Sequence, residues 1–254
     1  MKTGTIQKWL GLYIIFLSQL HLIISAPRKG NPDEWGSEFQ GDIKIPHRGR
    51  NGLRSKESRW PNGIVPYEFG TNFAQNKRPV VLKAMETYHN LTNNCIKFVE
   101  RTDQKDFVVF VEKEEGCWSS VGKAGGRQEI NYPQWCIDTF GSVLHELYHC
   151  LGFLHEQSRP DRDDYVEIVW DNIKEGSKHN FNYYGKLVLS TFGEKYDYKS
   201  VMHYSPYAFA IDEEKFTIIT KDPKYQHVIG QRKGLSDTDL KKLLKMYNCP
   251  NANG

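Results

Sequence analysis

The chain of 254 residues is long enough for one large domain or two small ones, and 39% of its residues are hydrophobic. That share supports a substantial core, and the 26% of charged residues argues against a largely disordered chain. The net charge of +3 is smaller than a nucleic-acid-binding protein usually carries, so we expect no nucleic-acid partner. The Gly, Pro and aromatic counts also exclude collagen-like, coiled-coil and low-complexity proteins.

The N-terminus has the pattern of a cleaved secretory signal. Lys2 and Lys8 precede an apolar stretch over residues 9–24, and the chain turns polar soon afterwards. This stretch is shorter than the ~20 apolar residues that span a bilayer, and it contains polar side chains. We therefore predict a signal peptide over residues 1–26 and a secreted, extracellular protein without a membrane anchor after its removal. An uncleaved membrane anchor is the alternative interpretation.

Secretion makes the cysteines candidates for disulfide bonds. Because their number, five, is odd, at least one thiol is free or bridged to another molecule. The composition alone leaves the pairing open. The sequon Asn-Leu-Thr at residues 90–92 makes Asn90 a candidate glycosylation site. The cysteines are Cys95, Cys117, Cys136, Cys150 and Cys249.

Two kinds of sequence follow the predicted signal. Residues 27–59 are rich in Gly, Pro and charge without a sustained apolar period, so we expect an extended segment that forms no core of its own. From Trp60 onward, apolar alternation predicts strands, and apolar stripes of helical period predict helices. The predicted strands cover residues 63–69, 95–99, 107–111 and 216–220, and the predicted helices cover residues 78–89, 142–151 and 237–247.

The residues that indicate chemistry begin with His-Glu-Leu-Tyr-His at residues 145–149. On a helix, His145 and His149 project from one face, so both imidazoles can bind one metal ion. Glu146 stands beside the first of them, where its carboxylate can take a proton from water. The alternative interpretation is a helix with one solvated glutamate and two surface histidines.

The continuation of this motif weakens that alternative. Gly152 and His155 complete the pattern His-Glu-x-x-His-x-x-Gly-x-x-His. The glycine lets the chain leave the helix at positive φ and turn back, so that His155 can close a site of three nitrogens. Three neutral imidazoles leave zinc its full charge and an open position, as in catalytic rather than structural sites. We therefore predict one Zn²⁺ per chain.

This extended pattern is that of the metzincin metalloproteases, and its flanking residues narrow the resemblance. Glu156 follows the third histidine, and residues 200–204 read Ser-Val-Met-His-Tyr. Together these motifs resemble the astacin family, whereas other metzincin branches carry other residues after the third histidine. The resemblance covers residues 51–250. It implies an α+β catalytic domain with a twisted mixed sheet, an active-site helix and a cleft between two halves, the C-terminal half being the looser.

The resemblance also implies a role for each central residue. His145, His149 and His155 correspond to the zinc ligands, and Glu146 corresponds to the general base and proton shuttle. Tyr204 resembles the family tyrosine that binds zinc in the resting enzyme and swings away when substrate arrives. A phenol so placed can hydrogen-bond a developing oxyanion. The alternative interpretation of Tyr204 is a buried core tyrosine.

Further positions are implied around the cleft. Met202 corresponds to the apolar floor beneath the zinc, which is itself a packing role. Trp118 and Ser119 resemble the family's edge strand, along which an extended substrate would lie antiparallel. Arg232 resembles a residue of the S1′ pocket, where a guanidinium would favour acidic side chains just after the cleaved bond. The alternative for Arg232 is an exposed surface arginine.

The resemblance also assigns partners to four of the cysteines. It implies a disulfide from Cys95 to Cys249 and another from Cys117 to Cys136. Cys150 is left over, and on a helix it is rotated by roughly 100° from its neighbouring histidine, so it cannot share the histidine face. We therefore expect Cys150 to be a buried free thiol.

The segment before the catalytic domain resembles an astacin propeptide. Phe-Gln-Gly-Asp at residues 39–42 matches the family motif Phe-x-Gly-Asp, whose aspartate coordinates zinc and keeps the zymogen silent. Asp42 is then the zinc latch, and a disordered linker is the alternative. We predict a propeptide over residues 27–50 and a catalytic domain over residues 51–254.

Removal of this propeptide requires a cut. The Arg50–Asn51 bond follows a basic, Gly-rich stretch, so we predict activation there by a trypsin-like protease. In the family, the new amino group meets the glutamate after the third histidine, here Glu156, because a buried charge needs a partner.

These inferences combine into one functional prediction. We predict a secreted zinc-dependent endopeptidase that hydrolyses peptide bonds of extracellular proteins, is made as a zymogen, and acts on protein or peptide substrates as a monomer. The alternative is a catalytically silent protein of astacin fold that binds a partner or acts as a toxin. Loss of a ligand or of Glu146 would favour that alternative, and none is lost.

Overall fold

The computed structural model describes residues 28–45, 56–113, 115–185 and 189–250. The predicted signal peptide and the Arg50–Asn51 bond lie outside these described residues. Across the described ranges, none of the helices combines the length and the apolar character that a bilayer crossing requires.

A mixed five-stranded sheet forms the first layer of the N-terminal half. The strand order is β2-β1-β3-β5-β4, with three parallel pairs and β4 antiparallel to β5 at the edge. All five residues of β3 are buried, because both faces of this central strand are covered. The strands are β1 (Ile64–Phe69), β2 (Lys97–Glu100), β3 (Phe107–Val111), β4 (Trp118–Ser119) and β5 (Arg127–Asn131).

Helices α1 (Arg78–Leu91) and α3 (Phe140–Cys150) pack on this sheet, and the short helix α2 (Gln134–Ile137) packs against α3. In α1 the buried residues recur at intervals of three and four, the period that the sequence predicted. Every residue of α3 except its first is buried. The turn after α3 needs a glycine, because Gly152 has φ +109 and an added Cβ would lie 2.6 Å from Met246 Cε.

In the C-terminal half, residues 156–235, the described residues 156–185 and 189–235 form little regular structure. Its strands β6 (Val166–Ile168) and β7 (Ile218–Thr220) form a two-stranded antiparallel sheet, and short 3₁₀ turns connect the remainder. The final helix, α4 (Asp237–Tyr247), begins at Ser236, whose hydroxyl accepts a hydrogen bond from the Asp239 amide at 2.9 Å. This helix returns to pack against the N-terminal half.

Among the described residues, buried apolar side chains form one main core in each half and a small third cluster of Phe107, Val109, Val111 and Trp118. The larger core joins the sheet with α1 and α3 and includes Leu243 and Met246 of α4. The smaller core lies in the C-terminal half and is rich in aromatic side chains, among them Phe181, Tyr196 and Tyr204. The predicted α+β fold, with a mixed sheet and a less regular C-terminal half, is confirmed.

The structure joins Cys95 to Cys249 and Cys117 to Cys136, the pairs that the resemblance implied. Cys150 is free and buried within α3, and burial raises the pKa of its thiol to about 12.

Residues 28–45, called the leader below, lie against the rest of the chain instead of forming a core. The sequence predicted an extended segment, yet Pro32–Trp35 forms a 3₁₀ turn. Four polar side chains of the leader are fully or almost fully buried, because the leader docks on the two halves and exchanges water for protein hydrogen bonds. These side chains are Asp33, Glu34, Gln40 and Asp42.

Candidate metal centre and substrate cleft

Three histidines converge at the end of α3. His145 and His149 lie on that helix, and the turn at Gly152 brings His155 to within 4.7 Å of His149, measured between ring centroids. Nδ1 of His145 lies 2.8 Å from the Val201 carbonyl oxygen. Nδ1 of His149 lies 2.7 Å from the carbonyl oxygen of residue 153.

These contacts determine which ring nitrogen of His145 and of His149 is free to bind a metal ion. Because a carbonyl oxygen only accepts hydrogen bonds, Nδ1 of His145 and of His149 carries the hydrogen, and each Nε2 lone pair faces the common centre. Such outer contacts orient the imidazoles of a metal site. Nδ1 of His155 lies 2.8 Å from Oε1 of Gln40, a residue of the leader.

Asp42 completes the group as a fourth donor. Its Oδ2 atom lies 2.9 Å from Nε2 of His145, 3.5 Å from Nε2 of His149 and 3.1 Å from Nε2 of His155. All four ligand atoms lie within 4.8 Å of one another. Donors that surround one zinc ion tetrahedrally are about 3.3 Å apart, so three nitrogens and one carboxylate oxygen at these spacings fit a single zinc ion.

Glu146 is the buried acid beside this group. Among the described residues, neither of its carboxylate oxygens has a hydrogen-bond partner, which is rare for a buried polar group. Burial raises the pKa of Glu146 well above its usual range, and the charges of Asp42 and Asp33 raise it further. An unpartnered carboxylate at this place is a group available for chemistry.

The turn at residues 200–204 lies beneath the histidines. Met202 is buried, and its carbonyl oxygen accepts a hydrogen bond from the Glu156 amide at 3.0 Å. The Tyr204 hydroxyl donates to the Gln40 carbonyl oxygen at 2.6 Å, and its ring centroid lies 4.5 Å from that of His155. In this structure the leader therefore holds the Tyr204 hydroxyl, and the ring is also part of the smaller core.

The leader also occupies the edge strand expected to bind substrate. The Ser119 amide donates to the Asp42 carbonyl oxygen at 2.8 Å, and the Lys44 amide donates to the Ser119 carbonyl oxygen at 2.9 Å. Ile43 pairs with Ser119 in the parallel sense, opposite to the direction predicted for a substrate. Trp118 is buried, and Lys44 Nζ lies 3.9 Å from its ring centroid.

The side chain of Arg232 lies beneath the leader, and its role in substrate selection stays a prediction. This side chain is 3% exposed and forms a fork on Asp33. Nε of Arg232 lies 3.2 Å from each carboxylate oxygen of Asp33, and Nη2 lies 2.5 Å from Oδ2. Sequence reasoning missed Asp33, and the one local signal near it, Asn31 with Glu34 as a capping box, indicates only the turn.

Glu156 already has two cationic partners. One carboxylate oxygen accepts from Arg159 at 3.1 Å, and the other lies 2.5 Å from Nζ of Lys242 on α4. Burial would raise the pKa of Glu156, but these two cations lower it below its usual value. Asn51 lies outside the described residues, so its pairing with Glu156 stays a prediction. Lys242 was not singled out from the sequence.

Asn90, the candidate glycosylation site, is exposed near the end of α1. Its modification stays a prediction.

Three histidines on a helix and its following turn, an acid beside them and a methionine turn beneath them define a zinc metalloprotease-type site. The profile of the Astacin family of peptidases matches residues 52–248. The chain therefore belongs to the astacin family, and its histidine group is able to bind one zinc ion.

Individual relatives agree with this assignment. The chain is 42% identical over 207 residues to zinc metalloproteinase nas-4 of Caenorhabditis elegans, covering 81% of this chain and 64% of that protein. It is 45% identical over 212 residues to meprin A subunit beta of Mus musculus, covering 83% of this chain and 29% of that protein. The chain thus spans less than two thirds of the length of these two relatives.

A solved structure is similar over its whole length. High choriolytic enzyme 1, a hatching enzyme zinc-protease from Oryzias latipes, superimposes with a TM-score of 0.69 at 34% identity. The match covers 82% of this chain and 100% of that one.

Proposed function

We propose that the protein is a secreted zinc endopeptidase that hydrolyses peptide bonds of extracellular proteins and is made as a zymogen. The single observation that carries this proposal is the convergence of three histidine Nε2 atoms and one carboxylate beside the unpartnered, buried Glu146. In the family, this constellation belongs to zinc metalloendopeptidases. Retention of every element favours an enzyme over a silent protein of the same fold.

Each residue would then act as follows. His145, His149 and His155 would hold the zinc ion, which would supply Lewis acidity for a peptide carbonyl and for water. Glu146 accepts the proton of the attacking water and delivers it to the leaving amine nitrogen. Tyr204, once the Gln40 carbonyl oxygen has left, donates its hydroxyl hydrogen to the oxygen that gains charge.

The edge strand would hold the substrate backbone. Ser119 uses both its amide and its carbonyl oxygen to bind the leader, so the same two groups are available to an extended peptide after the leader leaves. A substrate that lies antiparallel to β4 would use them in the opposite chain direction.

Residues 27–50 would be the inhibitory propeptide, between a signal over residues 1–26 and a catalytic domain over residues 51–254. Asp42 supports this proposal, because its carboxylate occupies the fourth ligand position among the histidines. A trypsin-like protease would cut Arg50–Asn51. The new amino group would then join Glu156 as a third cation, beside Lys242 and Arg159.

Arg232 would select acidic side chains just after the cleaved bond. Its fork on the Asp33 carboxylate supports this preference, because the same donors fit the carboxylate of a substrate. A cleavage profile over a peptide library tests it, with enrichment of Asp and Glu at P1′ expected. The substitution Arg232→Glu should remove or invert that enrichment at unchanged zinc content.

The central test is the substitution Glu146→Gln in the protein after removal of the leader. We expect zinc content near one ion per chain and a loss of peptide hydrolysis of about 10²–10⁴-fold, the usual contribution of general acid–base catalysis. The matched control is Glu86→Gln, the same change on the exposed face of α1. Chelation should abolish wild-type hydrolysis, and added zinc should restore it.

Two outcomes would overturn the proposal. Wild-type turnover in Glu146→Gln would exclude the assigned role of that carboxylate. A wild-type protein that binds zinc, releases its leader and cleaves no peptide of a proteome-derived library would favour the silent alternative.

A further inference from the structure

The leader carries two consecutive buried acids that the zinc latch does not explain. Asp33 and Glu34 lie in the 3₁₀ turn Pro32–Trp35, nine and eight residues before Asp42, and their side chains are at most 1% exposed. Buried carboxylates require partners, because removing an isolated charge from water is strongly unfavourable. Their partners come from three separate parts of the catalytic domain.

Asp33 accepts hydrogen bonds from two sides, and its Oδ2 atom also lies 3.9 Å from Nε2 of His145. Arg232 approaches it with the fork described above, and the Ser142 hydroxyl donates to Asp33 Oδ1 at 2.5 Å. Ser142 lies in the first turn of α3, where the helix dipole also favours a negative charge. Arg232 itself is fixed by donating from Nη1 to the His203 carbonyl oxygen at 3.1 Å.

Glu34 is held by a different group. The Ser205 amide donates to Glu34 Oε1 and the Ser205 hydroxyl donates to Oε2, each at 2.6 Å. Asn31, at the start of the same turn, donates to Glu34 Oε1 at 2.9 Å and to the Gly230 carbonyl oxygen at 3.0 Å. Two adjacent carboxylates therefore each have their own set of donors.

The pocket is built by close backbone packing. An added Cβ at Gly141 of α3 would lie 1.8 Å from the Arg232 carbonyl oxygen, so only glycine allows the chain at residue 232 to approach the helix this closely. This contact fixes the backbone of residue 232 beside the helix, and hydrogen bonds to Asp33 and the His203 carbonyl oxygen hold the guanidinium. The pocket is thus a feature of the catalytic domain that the leader fills.

We propose that Arg232, Ser142 and Ser205 form a second carboxylate site that anchors the leader through Asp33 and Glu34, independently of the Asp42 contact with the histidines. The chemical class of its ligand is the side-chain carboxylate of a peptide, with two such groups adjacent. This proposal rests on the proposed function of the leader as an inhibitory propeptide. The precursor is then held at two points, and loss of either leaves the other in place.

The test compares leader opening in full-length precursors that all carry Glu146→Gln, so that no precursor can cut itself. Hydrogen exchange is measured at the amides of Glu34 and Ile43, which bond to the carbonyl oxygens of Asn31 and Phe39 within the leader. The variants are Asp33→Asn, Asp42→Asn and the double variant, each with and without zinc. Amides of β3 report global unfolding in the same samples.

We expect Asp33→Asn to accelerate exchange of the Glu34 amide at least tenfold, with or without zinc, while the β3 amides change much less. Asp42→Asn should accelerate Ile43 more than Glu34. The double variant should open the whole leader and exceed either single change at both amides. The control Glu38→Gln, a similar change in the leader at a half-buried position, should leave both rates within about twofold.

Three results would overturn the second anchor. One is an Asp33→Asn rate at Glu34 equal to that of Glu38→Gln. Another is acceleration that appears only when Asp42 is also changed. If Asp33→Asn unfolds the chain as a whole, Arg232→Lys replaces it, since it keeps the charge and removes the fork; unchanged Glu34 exchange there would also reject the site. These readouts involve no catalysis, so a failed peptidase assay would reject the proposed function without affecting them.

Discussion

The N-terminal half has a five-stranded sheet and three helices around a large apolar core, whereas the C-terminal half has two three-residue strands around a small aromatic core. Regular backbone pairing satisfies the polar groups of the first half. In the second half, buried side chains perform that task. The Arg162 guanidinium donates to the Phe181 and Gln157 carbonyl oxygens. Glu156 forms ion pairs with Arg159 and Lys242.

This difference has an energetic consequence. An apolar core loses stability in proportion to the contacts removed, whereas a desolvated charge that loses its partner costs more than the pair contributed. We therefore expect the most damaging substitutions to be apolar truncations in the first half and broken ion pairs in the second. The three histidines lie where the two halves meet, with α3 on one side and the methionine turn on the other.

The largest effect should follow from Glu156→Gln. The substitution leaves Lys242 buried without its counter-charge, whereas Arg159 keeps its ion pair with Asp161. Breaking a buried pair typically costs about 3–5 kcal/mol. Urea unfolding measures the loss. The matched control is Glu194→Gln, because the partner of Glu194 is Lys245, which lies on α4 as Lys242 does. The Glu194 side chain is 18% exposed, so a loss of about 0–1 kcal/mol is expected there. Equal costs for the two substitutions would remove the proposed contrast between the halves.

The next effect tests the apolar core. Leu147 is fully buried within α3, so Leu147→Ala should cost about 2–5 kcal/mol through lost transfer energy and the cavity left behind. Leu82→Ala on α1 is the control, because Leu82 is 43% exposed and should lose well under half as much. The midpoint of urea unfolding should shift while its slope stays constant. A loss below about 1 kcal/mol for Leu147→Ala would show that the site collapses around the missing atoms.

Sequence patterns predicted the helices, strands and motifs whose formation depends on residues close together in the chain. The apolar stripe of α1, the continuous apolar run of β3 and the spacing from His145 to His155 each require only neighbours in sequence, and the structure contains all three features. Boundaries moved by about two residues, because helix ends depend on caps that periodicity does not detect. The helix predicted over residues 142–151, for example, begins at Phe140.

Contacts between distant residues could not be predicted in this way. Asp33 and Arg232 are 199 residues apart, and Glu156 and Lys242 are 86 apart. Each is an ordinary charged residue in its own segment, for which exposure is the default expectation. Only the fold brings each pair together and removes water from it. The family resemblance supplied roles for Arg232 and Glu156 and paired Glu156 with the new amino group, but it named neither Asp33 nor Lys242 as a partner.

Acidity gives a third, smaller test at the joint between α4 and the methionine turn. Burial raises the pKa of Asp239 to about 6, although Lys242 and hydrogen bonds from Ser200, Ser236 and Val201 oppose the rise. The pKa of an aspartate in an unfolded chain is about 3.9. Between these values the folded chain keeps a proton that the unfolded chain has lost. The stability that Asp239 contributes is therefore fully present below about pH 4 and is lost as pH rises through about 6.

The difference in the free energy of unfolding between wild type and Asp239→Asn isolates the pH-dependent contribution of the Asp239 carboxyl. A shift of about two units corresponds to about 3 kcal/mol at most, so the wild type should lose up to that amount relative to the variant between pH 4 and pH 6. Urea unfolding at half-unit intervals measures the difference. Asp237→Asn, an exposed change in the same helical turn, is the control. A wild-type-minus-variant difference that stays constant over this range would contradict the raised pKa.

The smallest effects concern the two helix ends, one beside each half. Gly152 ends α3 at φ +109, and Gly152→Ala must place a methyl group against Met246 in a backbone conformation that costs roughly 1–2 kcal/mol for a residue with a Cβ. Asn248 ends α4 at φ +52, is exposed, and belongs to the residue type that best tolerates this region after glycine. Asn248→Gly relieves a small strain and gives the unfolded chain more freedom, two opposing effects of similar size, so a net change below about 0.5 kcal/mol is expected. Thermal unfolding of both variants at one zinc concentration separates the two ends. A larger loss in Asn248→Gly than in Gly152→Ala would show that the side chain of Asn248, rather than its backbone conformation, stabilises the end of α4.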